Sequence, residues 1–259
     1  MKEVAYVVLS CDPYSDVWDP YGRLFEKFWS DCPFDTYLAS NHIKFDKYGF
    51  KPLLIGDDVT WSNGLMIVLN QLKKKGYKYI IAAFDDFLIT SKVDNSTIIP
   101  AVKEFIKLDG NCLRFDEKRS PKIKHFNQYF GEVYNHVPYR LHVGFTVWKI
   151  STLEALIDLK ESAWEFEKNG SERTFAYDKF YCLYKNPIEF MNLIIKRKLV
   201  KAEFEKLKSL LPDVKFEREI WTPREENFKD KIFPIFKKYC PVSWQLPIYK
   251  FLTSPIKMK

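Results

Sequence analysis

The sequence predicts an α/β protein with one mixed sheet flanked by helices. The main sign is residues 77–84, where Ile-Ile-Ala-Ala-Phe shows no polar alternation, as in a strand buried on both faces. The first ninety residues also alternate in pattern between strands and helices. The buried run then ends in two adjacent carboxylates, Asp85 and Asp86. Open α/β sheets bind ligands at this end of their strands, so the fold prediction also locates a site.

The other elements follow from shorter patterns. Residues 4–9 are apolar throughout and predict a first strand, which Pro13 prevents from continuing. Apolar residues recur at helical spacing over residues 18–28, so a helix is expected to begin near Ser15 or Asp16. We predict further strands at residues 34–39, 52–55, 111–115, 139–149 and 174–184, and further helices that start at Ser62 or Asn63, at residues 100–108, at Ser151 and at residues 201–211.

Cysteine usage and the N-terminus predict a cytoplasmic protein. The five cysteines are odd in number and scattered without a Cys-x-x-Cys pair, so neither a disulfide framework nor a zinc site is indicated. The chain enters a strand almost at once, and no signal peptide is expected. No apolar run approaches the roughly 18 residues that would span a bilayer.

Positive charge is concentrated in the C-terminal quarter. Residues 196–259 hold 16 Lys and Arg against eight Asp and Glu, and no acid follows Asp230. Lysines interleaved with aromatic rings are typical of a segment on an anionic membrane surface, which would place the protein at the inner face of the cytoplasmic membrane. Nucleic-acid binding is the less favoured partner. A strap packed on the core, with solvated lysines, is a further alternative.

Two nucleotide-binding motifs are absent, and this narrows the prediction. The chain has neither Gly-x-Gly-x-x-Gly nor Gly-x-x-x-x-Gly-Lys, so a dinucleotide fingerprint and a phosphate loop are not supported. Carboxylates at the end of a central strand suit a divalent cation or the hydroxyls of ribose and sugars. The alternative is that one of Asp85 and Asp86 caps a turn while the other is solvated.

Four stretches resemble bacterial nucleotide-sugar glycosyltransferases of the GT-A type, in particular a group from surface-polysaccharide gene clusters. The most specific stretch is Glu-Ser-Ala-Trp-Glu-Phe-Glu at residues 161–167, followed by Gly170-Ser171. The likeness covers about residues 3–200. The most specific stretch begins upstream, at residues 139–148. The other three stretches are Ser-Cys-Asp-x-Tyr-Ser-Asp-x-Trp at residues 10–18, Ile-Gly-Asp-Asp with Trp-Ser at residues 55–62, and Phe-Asp-Asp-Phe at residues 84–87.

The resemblance implies a donor site for a nucleoside diphosphate sugar. In such enzymes the loop after the first strand holds the nucleoside, which assigns Asp12 and Tyr14 to it, with Asp57 nearby. It also implies Asp85 on ribose and Asp86 on a Mn²⁺ or Mg²⁺ ion. The usual motif has a residue between its two acids, whereas here they are adjacent and point in different directions, so metal dependence stays an open question. Either Lys196 and Arg197, or Arg140 and His142, would bind the diphosphate, unless the Lys-Arg-Lys run is only solvated.

The acceptor side of the resemblance supplies the candidate catalytic residues. An inverting displacement needs a carboxylate that deprotonates the acceptor hydroxyl, and Glu165 and Glu167 are the candidates. Trp164 would stack on a sugar, and Arg140 and His142 also fall on the acceptor side. The alternative for Glu165 is a capping box with Ser162.

The predicted organisation has three parts and one preferred function. Residues 1–115 would bind the nucleotide sugar, residues 116–200 would bind the acceptor and catalyse transfer, and residues 201–259 would form a helix and a basic tail. The acceptor would be a glycan or a lipid-linked glycan, as in lipopolysaccharide or capsule synthesis. The alternatives are a non-catalytic nucleotide-sugar or glycan-binding protein, and a sugar nucleotidyltransferase.

Overall fold

The computed structural model describes residues 1–57, 60–115, 122–221 and 240–253, with backbone alone at residues 250–253. Within them lie fourteen strands: β1 (Val4–Leu9), β2 (Asp35–Ser40), β3 (Lys51–Leu54), β4 (Tyr79–Phe84), β5 (Phe87–Ile89), β6 (Cys112–Arg114), β7 (Ile123–His125), β8 (Phe130–Val133), β9 (Thr146–Lys149), β10 (Phe180–Leu183), β11 (Phe190–Asn192), β12 (Ile194–Ile195), β13 (Lys198–Val200) and β14 (Ile220–Trp221).

Helices cover both faces of the sheet. The α-helices among the described residues are α1 (Trp18–Trp29), α2 (Trp61–Lys74), α3 (Asn95–Lys107), α4 (Ile150–Leu156), α5 (Ala163–Arg173), α6 (Lys201–Leu210) and α7 (Val242–Thr253). Two short 3₁₀ helices lie at Asp12–Val17 and Thr174–Ala176. Within the described ranges, none of these helices is long and apolar enough to cross a bilayer.

A mixed sheet of nine strands joins the two predicted halves of the chain. Its order is β3-β2-β1-β4-β9-β6-β10-β8-β7. Strands β1 to β4 are mutually parallel, and β9 is antiparallel to both β4 and β6. The carboxyl ends of β1 to β4 therefore meet along one edge, which we call the carboxyl edge. The opposite side of the sheet is the amino edge.

The central strands are buried on both faces, as the sequence predicts. In β4, Tyr79, Ile81 and Ala83 belong to one core cluster, and Ile80 and Ala82 belong to the other. The first cluster contains residues from α1, α3 and α6, and the second contains residues from α2, α4 and α5. This sandwich fixes the carboxyl edge rigidly, because every central strand is packed from two sides. The predicted α/β class and mixed sheet are confirmed.

Two helix starts differ from the sequence prediction. Helix α2 begins after Thr60, whose side chain accepts the backbone N–H of Asn63 at 3.1 Å, and not at Ser62 or Asn63. Helix α3 begins five residues before Pro100, because the carboxylate of Asp94 accepts the N–H groups of the first turn. A cap upstream of a predicted start lengthens a helix, since it supplies partners for N–H groups that the helix leaves unpaired.

The middle of the chain departs further from the prediction. Residues 139–149 form a strand only at Thr146–Lys149, because Tyr139 and Phe145 adopt positive φ angles that a strand does not allow. Helix α4 follows without a side-chain cap, so the capping pattern predicted at residues 151–154 is wrong. Residues 174–184 likewise divide into a 3₁₀ helix and β10. Most of the predicted basic tail, including residues 231–239 and 254–259, lies outside the described residues.

Candidate functional site

Asp85 is a buried acid at the carboxyl edge, directly after β4. Its side chain accepts a hydrogen bond from Ser10 Oγ, and Ser10 Oγ in turn accepts Trp18 Nε1–H at 2.7 Å. The residue is 7% exposed. Burial, and then the negative charge of neighbouring Asp86, raise the pKa of Asp85 to about 8. The loop after β1 and the end of β4 are thus joined through a carboxyl group that favours its protonated form.

Asp86 has different neighbours. Its backbone carbonyl accepts the N–H of Leu193 at 2.9 Å. When the side-chain amide of Asn192 is oriented with its nitrogen toward Asp86, this nitrogen donates to Asp86 Oδ2 at 3.3 Å. Asp86 is half-buried. The two adjacent acids therefore serve different sides of the site, Asp85 toward Ser10 and Asp86 toward the segment after β11.

Asp12 joins the loops that follow β1 and β2. Its carboxylate accepts the backbone N–H groups of Asn41, His42 and Ile43 at 3.0 to 3.3 Å. In return, the side-chain oxygen of Asn41 accepts the N–H of Asp12 at 3.2 Å. The sequence assigns Asp12 to the nucleoside, and the structure shows its oxygens bound to backbone donors, so it shapes this part of the edge.

Asp57 lies beside these loops at the end of β3. Asn41 donates its amide to the carbonyl of Gly56 at 3.0 Å, and His42 Nε2 lies 2.9 Å from Asp57 Oδ1. The Asp57 side chain is 99% exposed and that of His42 is 60% exposed. This pair is therefore an accessible polar group on the same edge as Asp85.

Arg218 is a site residue that the sequence patterns missed. Its guanidinium binds both carboxylate oxygens of Asp16, at 2.6 and 2.7 Å, and also the carbonyls of Pro13 and Arg197. The same group lies 4.5 Å from the centre of the Tyr14 ring. One arginine from the segment after α6 thus fixes the loop after β1, 200 residues away in sequence. No local motif predicts such a contact.

Tyr14 lies near the two acids. Burial raises the pKa of its hydroxyl, and the charges of Asp85 and Asp86 raise it further, while Arg218 acts in the opposite direction. These influences require Tyr14, both acids and the guanidinium to lie close together. The structure therefore gathers a phenol, two carboxyl groups and a cation at one place on the carboxyl edge.

Lys196 and Arg197 form the tip of a hairpin between β12 and β13. Their φ angles are 50° and 66°, so both adopt the left-handed conformation that two-residue hairpin turns require. Asn-Gly is the favoured pair at such a turn, and two long cationic side chains there are unfavourable for the backbone. Both side chains are exposed, and the Arg197 carbonyl binds Arg218. The hairpin thus carries two cations beside the residues that surround Asp85.

Glu165 takes part in the capping box that the sequence offers as its alternative role. Ser162 Oγ accepts the N–H of Glu165 at 3.4 Å, and Glu165 Oε2 accepts the N–H of Ser162 at 2.9 Å. The hydrogen bonds from Ser162 lower the pKa of Glu165. Between them, Trp164 is 66% exposed, which leaves its ring available to a ligand.

Glu167 is nearly buried and holds an imidazole. Its Oε1 atom lies 2.8 Å from His142 Nδ1 and accepts the N–H of Val143 at 3.0 Å. Burial acts to raise the pKa of Glu167, but the charge and hydrogen bond of His142, with the Val143 N–H, bring that pKa below its usual value. Since Nδ1 faces a carboxylate, it carries the proton, and Nε2 is left as an acceptor.

The second nitrogen of His142 is the unusual feature of this pair. Among the described residues, Nε2 is buried and has no hydrogen-bond partner. A Cβ atom on Gly144 would lie 3.3 Å from Nε2 and 2.7 Å from the Phe87 ring, so glycine permits the close packing of these groups. Because Phe87 directly follows Asp86, His142 lies near the carboxyl edge. An unsatisfied buried acceptor is costly, so it suggests a function.

Arg140 lies elsewhere. Its guanidinium donates to the carbonyls of Thr174 and Tyr177 and lies 4.0 Å from the centre of the Phe180 ring. Burial lowers its pKa to about 10. These contacts are at the start of β10, on the amino edge, whereas the sequence assigns Arg140 to the acceptor or the diphosphate.

The described residues contain no group of three or more His, Cys, Asp or Glu side chains that would form a metal site by itself. A divalent cation here would need oxygens from its ligand in addition to Asp86. The sequence predicts site roles for the two acids, Tyr14, His142 and Glu167, but not the contact between His142 and Glu167. It assigns no role to Ser10, Asp16, Asn192 or Arg218, because these act through contacts between distant segments.

Comparisons with known proteins give the fold. No protein-family model matches the chain, and neither does any curated protein. The solved structure of S. aureus TarS 1–349 has a TM-score of 0.53 at 8% identity and covers 99% of this chain and 75% of that one. CMP:2-keto-3-deoxy-manno-octonic acid synthetase, complexed with CTP, has a TM-score of 0.52 at 11% identity over 81% of this chain and 98% of that one. The chain therefore shares a mixed α/β fold with these two structures.

Proposed function

We propose that the chain is a glycosyltransferase, which moves a sugar from a nucleoside diphosphate sugar to a glycan or a lipid-linked glycan of the lipopolysaccharide or capsule type. The observation that carries this proposal is the group of Asp85, Asp86, Tyr14 and Arg218 at the carboxyl edge. Carboxylates accept hydrogen bonds from ribose and sugar hydroxyls, and adjacent cations stabilise a departing diphosphate. The fold shared with TarS and with a CTP-bound synthetase is compatible with such a donor.

The donor would lie along the carboxyl edge. Its nucleoside would face the loops after β1, β2 and β3, where Asp57 and His42 are accessible. Its diphosphate would face the hairpin cations Lys196 and Arg197. Arg218 would contribute positive charge through its position beside Tyr14, although its hydrogen bonds are already made to Asp16 and to backbone carbonyls.

A Mn²⁺ or Mg²⁺ ion fits this edge only in part. Burial, and then the negative charge of Asp86, raise the pKa of Asp85, and a divalent cation would relieve the second of these influences. Asp85 is buried against Ser10, so Asp86 is the residue that would hold the ion, together with diphosphate oxygens. When bound, the ion would neutralise charge on the leaving group.

We assign proton removal from the acceptor to the His142–Glu167 pair. Glu167 fixes the tautomer that leaves His142 Nε2 as an acceptor, and that nitrogen has no partner among the described residues. A carboxylate that orients an imidazole is a general arrangement for base catalysis. Nε2 would receive the hydroxyl proton as the acceptor oxygen attacks the anomeric carbon and the nucleoside diphosphate leaves. Glu165 keeps its place in the capping box, and exposed Trp164 would stack on the acceptor sugar.

Two other functions are alternatives, and the products that form from a nucleotide donor distinguish them from a glycosyltransferase. A sugar nucleotidyltransferase would release pyrophosphate from a nucleoside triphosphate, and the fold shared with the CTP-bound synthetase favours it as the second candidate. The loop after β1 argues against it, since Ser10-Cys11-Asp12 lacks the glycines and cations that would surround a triphosphate. A binding protein without catalysis would release neither pyrophosphate nor free sugar from a donor.

Calorimetric titration tests the proposal directly. The full chain is titrated with uridine, thymidine, guanosine and cytidine diphosphates, with and without Mn²⁺. We expect one nucleoside diphosphate to bind, and we expect Asp86→Asn to weaken that binding. Glu3→Gln is the matched control, because Glu3 precedes β1 at the amino edge and pairs with Lys78 there. Absence of binding for all four nucleotides would reject the transferase.

A further inference from the structure

A cavity of about 510 Å³ lies on the opposite side of the sheet from the candidate site. Its walls come from the end of β8 and from the stretch that leads into β10. Strand β10 is parallel to β6, and both β6 and β4 are antiparallel to β9, so β10 and β4 run in the same direction. The start of β10 therefore lies at the amino edge, whereas Asp85 and Asp86 follow the carboxyl end of β4.

We propose that this cavity binds a neutral oligosaccharide. Its lining combines three aromatic rings, Tyr134, Phe175 and Tyr177, with polar side chains that accept or donate hydrogen bonds. Aromatic faces pack against the apolar C–H faces of pyranose rings, while carboxylates and amides bind the hydroxyl groups around the rim of the sugar. The volume falls within the range of ligand pockets, about 300–1,000 Å³.

The charges in the walls favour a neutral ligand over an anionic one. Lys124 Nζ lies 2.7 Å from a carboxylate oxygen of Glu132, so this cation is already paired. The guanidinium of Arg140 is bound to two backbone carbonyls, and the negative charges of Glu132 and Asp178 act on it. The two cations and the two carboxylates of the lining therefore balance. Sugar hydroxyls would donate to the Asp178 carboxylate and keep this balance, whereas an anion would add a charge without a partner.

The aromatic wall is held in place before any ligand arrives. Arg140 binds the carbonyls of Thr174 and Tyr177, which lie on either side of Phe175. Asn135 donates to the carbonyl of Phe175 at 3.1 Å. These contacts fix the 3₁₀ segment from three points, so little conformational entropy is lost when a ligand binds to it. Arg140 therefore holds the aromatic wall of the cavity in position through its hydrogen bonds to the backbone.

The proposal goes beyond the transferase reaction and does not depend on it. The cavity lies away from Asp85, Asp86 and the hairpin cations, so occupancy by a glycan is independent of nucleotide binding. Its ligand is a sugar chain, and its recognition needs neither a donor nor a metal ion. Nucleotide titration and glycan binding can thus fail separately, and each failure points to its own site.

The test is binding of the labelled full-length protein to an array of neutral and acidic glycans. We expect retention of neutral glycans, unchanged by saturating nucleoside diphosphate. Phe175→Ala should weaken binding about tenfold, since it removes one stacking ring. Asp178→Asn, at an exposed residue, should weaken it too and provides a second variant if Phe175→Ala does not fold. Trp244→Ala, an exposed aromatic outside this cavity and outside the candidate site, is the control and should change nothing.

Several results would overturn the proposal. It fails if the wild-type protein retains no glycan, or if it retains acidic glycans alone. It also fails if Trp164→Ala abolishes retention while Phe175→Ala and Asp178→Asn leave it intact, because the glycan would then be bound at the carboxyl edge. Loss of retention in the two cavity variants, with wild-type thermal unfolding of Asp178→Asn, supports the cavity as the binding site.

Discussion

Two pairs of carboxylates, one on each side of the candidate site, show that burial alone does not set the direction in which the pKa of an acid shifts. Asp85 and Asp86 follow β4, and Glu165 and Glu167 lie in the first turns of α5. In each pair one acid is buried and the other is more accessible. Yet the pKa of Asp85 is raised to about 8, whereas the pKa of Glu167 is lowered.

The difference comes from the partners of each buried acid. Glu167 accepts from His142 and from the N–H of Val143, so its charged form is stabilised in place. Asp85 is buried and lies beside the negative charge of Asp86, and the hydrogen bond from Ser10 offsets these influences only in part, so its neutral form is favoured. The Asp85–Asp86 pair is thus arranged to receive positive charge from a ligand. Glu167 instead already has its partner in the Nδ1 atom of His142.

The largest expected effect is on turnover, and it follows from a change in the His142–Glu167 pair. His142→Asn keeps an N–H donor for Glu167 but removes the Nε2 acceptor. We expect turnover of the donor sugar to fall by about 10²–10⁴-fold, the usual contribution of a general base, with little change in donor affinity. The measurement is kcat and KM with the nucleotide sugar identified by titration.

Glu167→Gln provides the companion experiment for a positioning role. Without the carboxylate, the Nδ1–H of His142 has only a weaker, uncharged acceptor, so the imidazole is held less firmly and kcat should fall while KM for the donor sugar stays unchanged. Glu165→Gln should leave both kcat and KM unchanged. If His142→Asn retained full turnover, the assignment of the base to this pair would be wrong.

The raised pKa of Asp85 should make the free energy of unfolding depend on pH. An aspartate in an unfolded chain has a pKa of about 4, and the pKa of Asp85 in the folded protein is about 8. Between these values the folded protein holds a proton that the unfolded chain releases. This contribution to the free energy of unfolding therefore falls as pH rises, by up to ~1.4 kcal/mol per pH unit.

Asp85→Asn isolates that contribution because its amide keeps an acceptor for Ser10 and does not titrate. Relative to wild type, we expect its free energy of unfolding to rise by up to ~4 kcal/mol between pH 5 and pH 8. Urea unfolding at both pH values in metal-free buffer measures the change. Glu3→Gln is the control, since this exposed acid should track wild type. Parallel pH curves for Asp85→Asn and wild type would contradict the raised pKa.

Much of the fold was predictable because it depends on local pattern. The alternating burial of β4 between two core clusters follows from an apolar run without polar positions, and the carboxyl edge follows from parallel strands. The failures lie where the backbone leaves regular structure. Tyr139 and Phe145 look like strand residues by composition, yet their positive φ angles delay the start of the strand to Thr146. Side-chain type does not encode such angles when tertiary contacts enforce them.

The candidate site was predictable only in its acids. Asp85 and Asp86 follow from their place after β4, but their different partners, Ser10 and Asn192, come from distant segments and are assigned no contact by the sequence. Arg218 reaches the loop after β1 across 202 positions of sequence. Contacts of this kind arise from packing of separate segments, so a single sequence carries no local sign of them.

A smaller effect on stability is expected for the buried acid of α5. Glu167→Ala removes the acceptor for both His142 and the Val143 N–H, which would remain buried without partners. We expect a loss of about 3 kcal/mol in the free energy of unfolding, measured by urea titration at pH 7. Glu203→Ala on α6, a partly exposed acid for which no ion pair is seen, is a matched control with a much smaller expected change. Equal losses for the two variants would show that the His142 contact adds nothing to stability.

The smallest expected effect concerns Glu165, the acid of the capping box at the start of α5. Glu165→Ala removes the acceptor for the Ser162 N–H and should lower the free energy of unfolding slightly, by less than Glu167→Ala does. Glu165→Gln should lose much less, because glutamine forms the same reciprocal bond. If both variants keep wild-type turnover, the exposed acid acts on helix α5 alone. A large loss of turnover in Glu165→Gln with unchanged stability would instead identify Glu165 as the base and leave the His142–Glu167 pair a structural role.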